Sequence, residues 1–219
     1  MKILNLKKMN YICKCKQNNF FQKNYTYWED RDVTNDELDI IKFINDTKNI
    51  KFDKILHIGI GNSYFANKLV QKSNITGITI SKKEIFKAES LNLSSYKFFL
   101  CDKYSLEFNE FAKKNKFDII VDVNLKSYSC CKISFNFMME NIFNLMERGS
   151  MLITSRNGMR WYKKLKPKLS FNFKKLFHYK LKEIDGNESN ILSLDELKTL
   201  SNKHNLKMSF DDKLCYLKK

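Results

Sequence analysis

Residues 55–69 read ILHIGIGNSYFANKL. The stretch opens as an aliphatic run broken only by His57, then places Gly59 and Gly61 one residue apart in a chain of 219 residues that has six glycines. A strand that ends in Gly-x-Gly and feeds a helix brings bare backbone close to a ligand and points the helix's first N–H groups at it. The same dipeptide spacing also makes a plain tight turn, so its meaning depends on what surrounds it.

Outward from this stretch, strand and helix patterns alternate. TNDELDIIKFI opens with a capping box, Thr34 to Glu37, and sets Leu38, Ile41 and Ile44 on one helical face. KILHIGI (54–60) reads as a strand and NSYFANKLV (62–70) as a helix; ITGITI (75–80) is the next strand, and Ser81 with Glu84 forms a second capping box for KKEIFKAESL. YKFFLC (96–101), FDIIVDV (117–123) and SMLITS (150–155) supply three more strands, with ISFNFMMENIFNLM (133–146) as a helix between the last two. A third capping box, Ser193 to Glu196, starts LDELKTLSNKH, and LKMSF and KLCYL close the chain as two short strands. This order predicts an α/β fold: a doubly wound, mostly parallel seven-stranded sheet with an antiparallel edge strand. Ligands of such sheets bind beyond the strands' carboxyl ends, which here carry Gly61-Asn62, Thr79–Ser81, Cys101-Asp102 and Asp122–Asn124. A nucleotide-like cofactor suits that place.

Composition bounds the reading. A 26.1 kDa chain with 43% hydrophobic residues supports one sizeable core, which divides into an N-terminal extension over 1–33 and a domain over 34–219. No apolar run is long enough to span a bilayer, and lysines interrupt MKILNLKKMNYICKCK before a signal-peptide core forms, so a cytoplasmic protein is expected. Cys13, Cys15, Cys101, Cys130, Cys131 and Cys215 show no C-x-x-C pair and read as reduced thiols. Cys13-x-Cys15 has the look of half a metal site, but without a second pair no metal is expected. The net charge of +16 favours polyanions, yet only Arg31, Arg148, Arg156 and Arg160 are arginines, and planar recognition of phosphate and guanine prefers Arg.

Taken together, ILHIGIGNS, ITGITIS, the Cys101-Asp102 strand end, KFDIIVDV, NLMERGSMLIT and LSLDELKTLSNKHNLK resemble the successive motifs of the class I S-adenosylmethionine-dependent methyltransferases, over roughly residues 34–217. GITISKKEI is similar to the corresponding stretch of cyclopropane-fatty-acid-synthase-type relatives. The resemblance implies a Rossmann-like methyltransferase fold and S-adenosylmethionine as cofactor, held by His57, Gly59, Gly61, Asn62, Thr79, Ile80 and Asp102, with Asp102 toward the adenine amine. Three positions depart from the family pattern: His57 stands at the first acid, Ser63 at the third glycine, and Thr79 at the acid that holds the ribose.

Methyl transfer from a sulfonium asks the protein to align a nucleophile and, where needed, to take its proton. The exit of the fourth strand, VDVNLKSYSCC, offers Asp122, Asn124 and Tyr128 as catalytic groups. Asp122 reads equally as a general base and as the cap of a turn. Cys130 and Cys131 read as small apolar residues at a helix start rather than nucleophiles, and His57 as a strand-end histidine of the core.

The single proline, Pro167, is followed by Lys, so the chain lacks the Pro-containing motifs of amino-group nucleic-acid methyltransferases and of cytosine-C5 enzymes. Residues 156–182 hold ten Lys/Arg, six Trp/Tyr/Phe and no acid. This insertion suits an anionic partner, with Arg156, Arg160 and Trp161 nearest the reaction. The expectation is a small or saccharide-like acceptor, with RNA as the first alternative and a non-catalytic cofactor-fold protein as the second. Tyr27 and Trp28 are placed either over the cofactor or against the first helix.

Overall fold

The structure is a computed structural model that describes residues 9–13, 15, 33–47, 52–159 and 190–219. The bulk of the basic insertion, including Arg160 and Trp161, lies outside these residues, as do Tyr27 and Trp28.

The chain runs through α1 (Asn35–Asp46), β1 (Lys54–Ile58), α2 (Tyr64–Leu69), β2 (Asn74–Thr79), α3 (Lys82–Ser90), β3 (Tyr96–Leu100), α4 (Leu106–Lys114) and β4 (Phe117–Asp122). It continues through α5 (Lys132–Leu145), β5 (Met146–Ser155), α6 (Arg156–Met159), α7 (Leu194–Lys203), β6 (Lys207–Phe210) and β7 (Leu214–Lys218). The strands form one seven-stranded sheet in the order β3-β2-β1-β4-β5-β7-β6. Its first five strands pair in parallel, and β7 joins β5 and β6 antiparallel. Strand order reverses between β1 and β4, which pair from Ile55↔Ile119 to Ile58↔Asp122. The crevice above that switch point is where an open α/β sheet holds its ligand.

Strand β1 shows why two layers of helix are needed. Its side chains alternate: Leu56 and Ile58 join the core formed with Phe108, Phe135, Met138, Ile142 and Leu197, while Ile55 joins Ile40, Ile44, Phe65 and Leu69 on the other face. A parallel strand buried on both faces must be apolar along its length, and β1 and β4 satisfy this except at the exposed first residue Lys54, at His57 and at the acidic positions Asp118 and Asp122.

Helix starts follow their caps. Thr34 and Glu37 complete a reciprocal capping box. Ser81 and Ser193 each accept the N–H of the glutamate three residues on, but those glutamate side chains leave for other partners: Glu196 pairs with Lys126 at 2.8 Å, and Glu84 turns to the end of β2. Strand β1 stops two residues earlier than its aliphatic run suggests, because Gly59 takes φ 82 and bends the chain. Among the described residues no helix is long and apolar enough to cross a membrane.

Helix α6 lies hard against the exit of β4. A Cβ built on Gly158 would stand 1.8 Å from the Val123 carbonyl oxygen and 2.8 Å from Asn124 Oδ1, so the backbones can meet only at glycine. Gly158→Ala is expected to destabilise the protein by about 1–3 kcal/mol through overpacking, read from urea midpoints.

Candidate active site

The loop between β1 and α2 sets the floor of the site. Gly59, Gly61 and Ser63 all take left-handed backbone, with φ of 82°, 53° and 63°, so Ser63, at the position where the resemblance expects a third glycine, adopts a glycine-like conformation while keeping a side chain. That conformation costs a residue with a Cβ about 1 kcal/mol or more. It is offset here by a buried contact between Ser63 Oγ and Tyr96 Oη at 3.1 Å. The Gly59 N–H donates to the Ile78 carbonyl at 2.8 Å, which ties the loop to β2. A Cβ on Gly59 would meet nothing within 4 Å, so this backbone faces open space. Asn62 Oδ1 accepts the Tyr64 N–H at 3.1 Å and shapes the turn into α2.

His57 lies beneath this loop rather than in it. It is fully buried, registered between Gly77 and Val121, with its ring 4.5 Å from that of Phe65 in α2.

Glu84 is the residue that sequence reasoning missed. It is buried at 2% exposure, and its Oε2 accepts the Thr79 hydroxyl at 2.5 Å, while the Gly61 N–H donates to the same carboxyl. The carboxyl therefore sits at the end of β2, beside the Gly61 loop, although it comes from α3, five residues after Thr79, the position to which the resemblance assigns the ribose acid. Thr79 also accepts the Ser81 N–H at 3.0 Å, and Ile80 continues the chain between them. Burial pushes the Glu84 carboxyl up from 4.5 to about 8, against the Gly61 N–H, which lowers it.

Asp102 follows β3. Its Oδ1 accepts the Tyr104 N–H at 2.9 Å and its Oδ2 the Tyr11 hydroxyl at 3.1 Å. Tyr11 belongs to an N-terminal segment laid across the start of α4: the Leu106 N–H donates to the Asn10 carbonyl at 2.8 Å, and the Asn10 N–H donates to the Glu107 carboxylate.

The β4 exit is clamped by Lys103. Its Nζ lies 2.7 Å from Asp122 Oδ2, with both side chains nearly buried, and donates to the carbonyls of Asn124 and Leu125 at 3.1 and 3.0 Å. Asp122 Oδ1 accepts the Asn124 N–H at 3.2 Å. Asp122 is thus a turn cap and an ion-pair partner in this structure, and both oxygens are engaged. Tyr128 takes φ 61, and burial followed by Glu84's charge pushes its phenol up to about 12, so at neutral pH it is a neutral phenol.

Arg156 turns away from the strand end. Its guanidinium donates to the Asp211 carbonyl at 3.0 Å and lies 5.5 Å from the Phe210 ring, at the β6–β7 turn. Together with Met159 and the 191–194 segment it lines a cleft of about 250 Å³.

No family model and no curated protein matches the sequence. Solved structures do match in fold. The N-methyltransferase NodS from Bradyrhizobium japonicum, in complex with S-adenosyl-L-homocysteine, aligns at a TM-score of 0.57 and 14% identity over 91% of this chain and 93% of that one. A TehB-like SAM-dependent methyltransferase from Corynebacterium glutamicum aligns at 0.56 and 12% identity over 93% of this chain and 97% of that one. An O-methyltransferase family protein from Burkholderia thailandensis aligns at 0.58 and 9% identity over 84% of this chain and 56% of that one. The fold is that of the class I methyltransferases. The methyltransferase fold accounts for the strand order, the antiparallel β7 and the position of the Gly59–Ser63 loop at the switch point.

Two outcomes follow from the buried groups. Lys103→Met leaves Asp122 buried without its cation and is expected to cost about 3–5 kcal/mol of stability, whereas Lys103→Met with Asp122→Asn should recover part of that loss. Native Glu84 keeps its proton between 4.5 and about 8, where the unfolded chain has released it. Its contribution to stability is therefore full below 4.5 and declines as pH rises to about 8. Urea unfolding across that window should show the wild type losing stability relative to Glu84→Gln, which mimics the protonated carboxyl.

Proposed function

We propose that the protein is an S-adenosylmethionine-dependent methyltransferase that acts on a small, anionic or saccharide-like acceptor. The observation that carries the reading is the convergence of the left-handed Gly59–Ser63 loop and the buried Glu84 carboxyl at the sheet's switch point, in a fold shared with methyltransferases.

The residues present fit that cofactor. The Gly59 backbone leaves room for close approach, Glu84 offers a carboxyl to the ribose hydroxyls in place of an acid at Thr79, and Asp102 offers one beside the adenine, steadied by Tyr11 and Tyr104. When bound, the cofactor supplies an electrophilic methyl on a sulfonium. The chain's own task is to align the acceptor in line with that methyl and to keep water out. With Asp122 held by Lys103, the side of the site next to β4 contributes a fixed loop, and Tyr128 contributes a hydroxyl able to orient an acceptor. The anionic character of the acceptor is inferred from the ten Lys/Arg and six aromatic residues of 156–182, which carry no acid, and its small size from the scarcity of arginine for phosphate recognition.

Calorimetry with S-adenosylhomocysteine tests the cofactor. Wild type is expected to bind, Gly61→Val to lose binding, and Asp102→Ala to weaken it more than Thr79→Ala, by about tenfold for the charged acceptor. Ribose hydroxyls donating to Glu84 favour its ionised form, so binding near pH 7 should release a proton, seen as a dependence of the heat on buffer ionisation enthalpy that Glu84→Gln abolishes. Absence of binding to the wild type overturns the reading. RNA affinity that survives physiological salt, with methyl incorporation into RNA, transfers it to the RNA alternative.

A further inference from the structure

Four of the six cysteines come together at one point on the molecule. Cys13 and Cys15 arrive from the N-terminal segment, Cys130 and Cys131 from the start of α5, and their four sulfurs all lie within 4.8 Å of one another. Cys13 Sγ is 3.1 Å from Cys130 Sγ, and Cys130 Sγ is 3.8 Å from Cys131 Sγ. The spacing rules of zinc motifs look for two C-x-x-C pairs; here a C-x-C pair and a vicinal pair, 115 residues or more apart in sequence, are joined by the fold.

Core packing does not explain the cluster. Cys101 and Cys215 are buried among apolar neighbours, as thiols used for packing are. Cys13, Cys15 and Cys131 are only half-buried, so three of the four thiols gather at a partly open surface. No disulfide joins these cysteines in the structure, and the vicinal Cys130 and Cys131 have Cα atoms about 3.8 Å apart, below the usual disulfide range; a Cys13–Cys130 bond would leave Cys15 and Cys131 unexplained beside it.

We propose that Cys13, Cys15, Cys130 and Cys131 form a tetrathiolate site for a structural zinc ion. Four sulfurs at about 2.3 Å from a tetrahedral zinc stand about 3.8 Å from one another, and the cluster needs only side-chain adjustment to reach that arrangement. Sulfur ligands in a closed set of four select a soft cation with no position for water. The geometry also offers one ligand outer support: Cys131 is the N-cap of the fourteen-residue helix α5, and the Ser134 N–H donates to its Sγ at 3.5 Å, a contact of the kind that orients a metal ligand. The ion would fasten the N-terminal segment to the loop after β4. That segment is otherwise held mainly by the hydrogen bonds of Asn10 and Tyr11 to α4 and Asp102 and by the burial of Met9. This inference does not depend on the methyltransferase reading, and its test reads metal rather than methyl transfer.

The full chain, produced with zinc in the medium and purified under reductant without chelator, is expected to carry one zinc per chain by elemental mass spectrometry. Replacing zinc with cobalt should give the thiolate-to-metal charge-transfer bands and intense d–d bands of a tetrahedral tetrathiolate. Cys13→Ser with Cys130→Ser should lose the metal, and Cys215→Ala should keep it; because a variant can misfold, the cobalt spectrum of the wild type stands as an independent measurement. Four readily alkylated thiols with neither zinc nor a cobalt spectrum overturn the proposal. So do disulfides among these residues in rapidly alkylated cell extract, or iron in place of zinc.

Discussion

The site depends on a backbone constraint: three left-handed residues at alternate positions, Gly59, Gly61 and Ser63, in the five-residue link between β1 and α2. That link cannot be extended strand or continuing helix. It leaves β1 at Ile58, folds back to bond the Ile78 carbonyl of β2 through Gly59, and reaches Tyr96 of β3 through Ser63. A loop from one strand is thereby registered against two others. Glu84 depends on the result, since the Gly61 N–H that meets its carboxyl points there only while the loop holds its shape. Thr79 completes the arrangement by using its hydroxyl as a donor to Glu84 and as an acceptor from Ser81. One short side chain thus joins the strand end to the helix that supplies the acid.

A second constraint governs the other half of the crevice. A buried lysine is tolerable only when its protons are taken up, and Lys103 meets Asp122, two carbonyls and the Ser127 hydroxyl at 3.4 Å. The ion pair links the exit of β3 to the exit of β4 and fixes the loop that carries Tyr128 and the vicinal cysteines. Committing Asp122 to this role is compatible with methyl transfer, because the leaving group and the electrophile both belong to the cofactor and the protein's contribution is mainly alignment.

Sequence order and periodicity were enough for the architecture. The alternation of apolar runs in 54–60, 75–80, 96–101, 117–123 and 150–155 anticipates the five parallel strands, and the closing pair anticipates the antiparallel β6 and β7. Features decided by contact across the fold were hidden. Ser-x-x-Glu at 81–84 has the same letters whether the glutamate reaches back to its own cap or across to Thr79 and Gly61; only tertiary placement distinguishes them. Arg156 follows β5 directly, yet chain proximity does not determine where a long side chain points, and its guanidinium goes to Asp211 and Phe210. Lys103, one residue after Asp102, gave no local sign that it would bury itself against Asp122. The cysteine cluster was hidden for the same reason, since its halves belong to opposite ends of a long stretch of chain.

The N-terminal segment connects these points. Tyr11 donates to Asp102, the carboxylate we assign to the adenine side, and two residues later Cys13 contacts Cys130. Among its described residues, 9–13 and 15, Met9 is the buried apolar side chain, so the placement of these residues rests on what they are fastened to. A zinc ion at the four thiols would restrict the segment at one end, and a ligand beside Asp102 would favour its placement at Tyr11. Two ligands that order the same segment assist each other, and by linkage the assistance is equal in both directions. The cysteines would then serve the methyl-transfer site without touching it, by lowering the ordering cost that cofactor binding would otherwise meet in full.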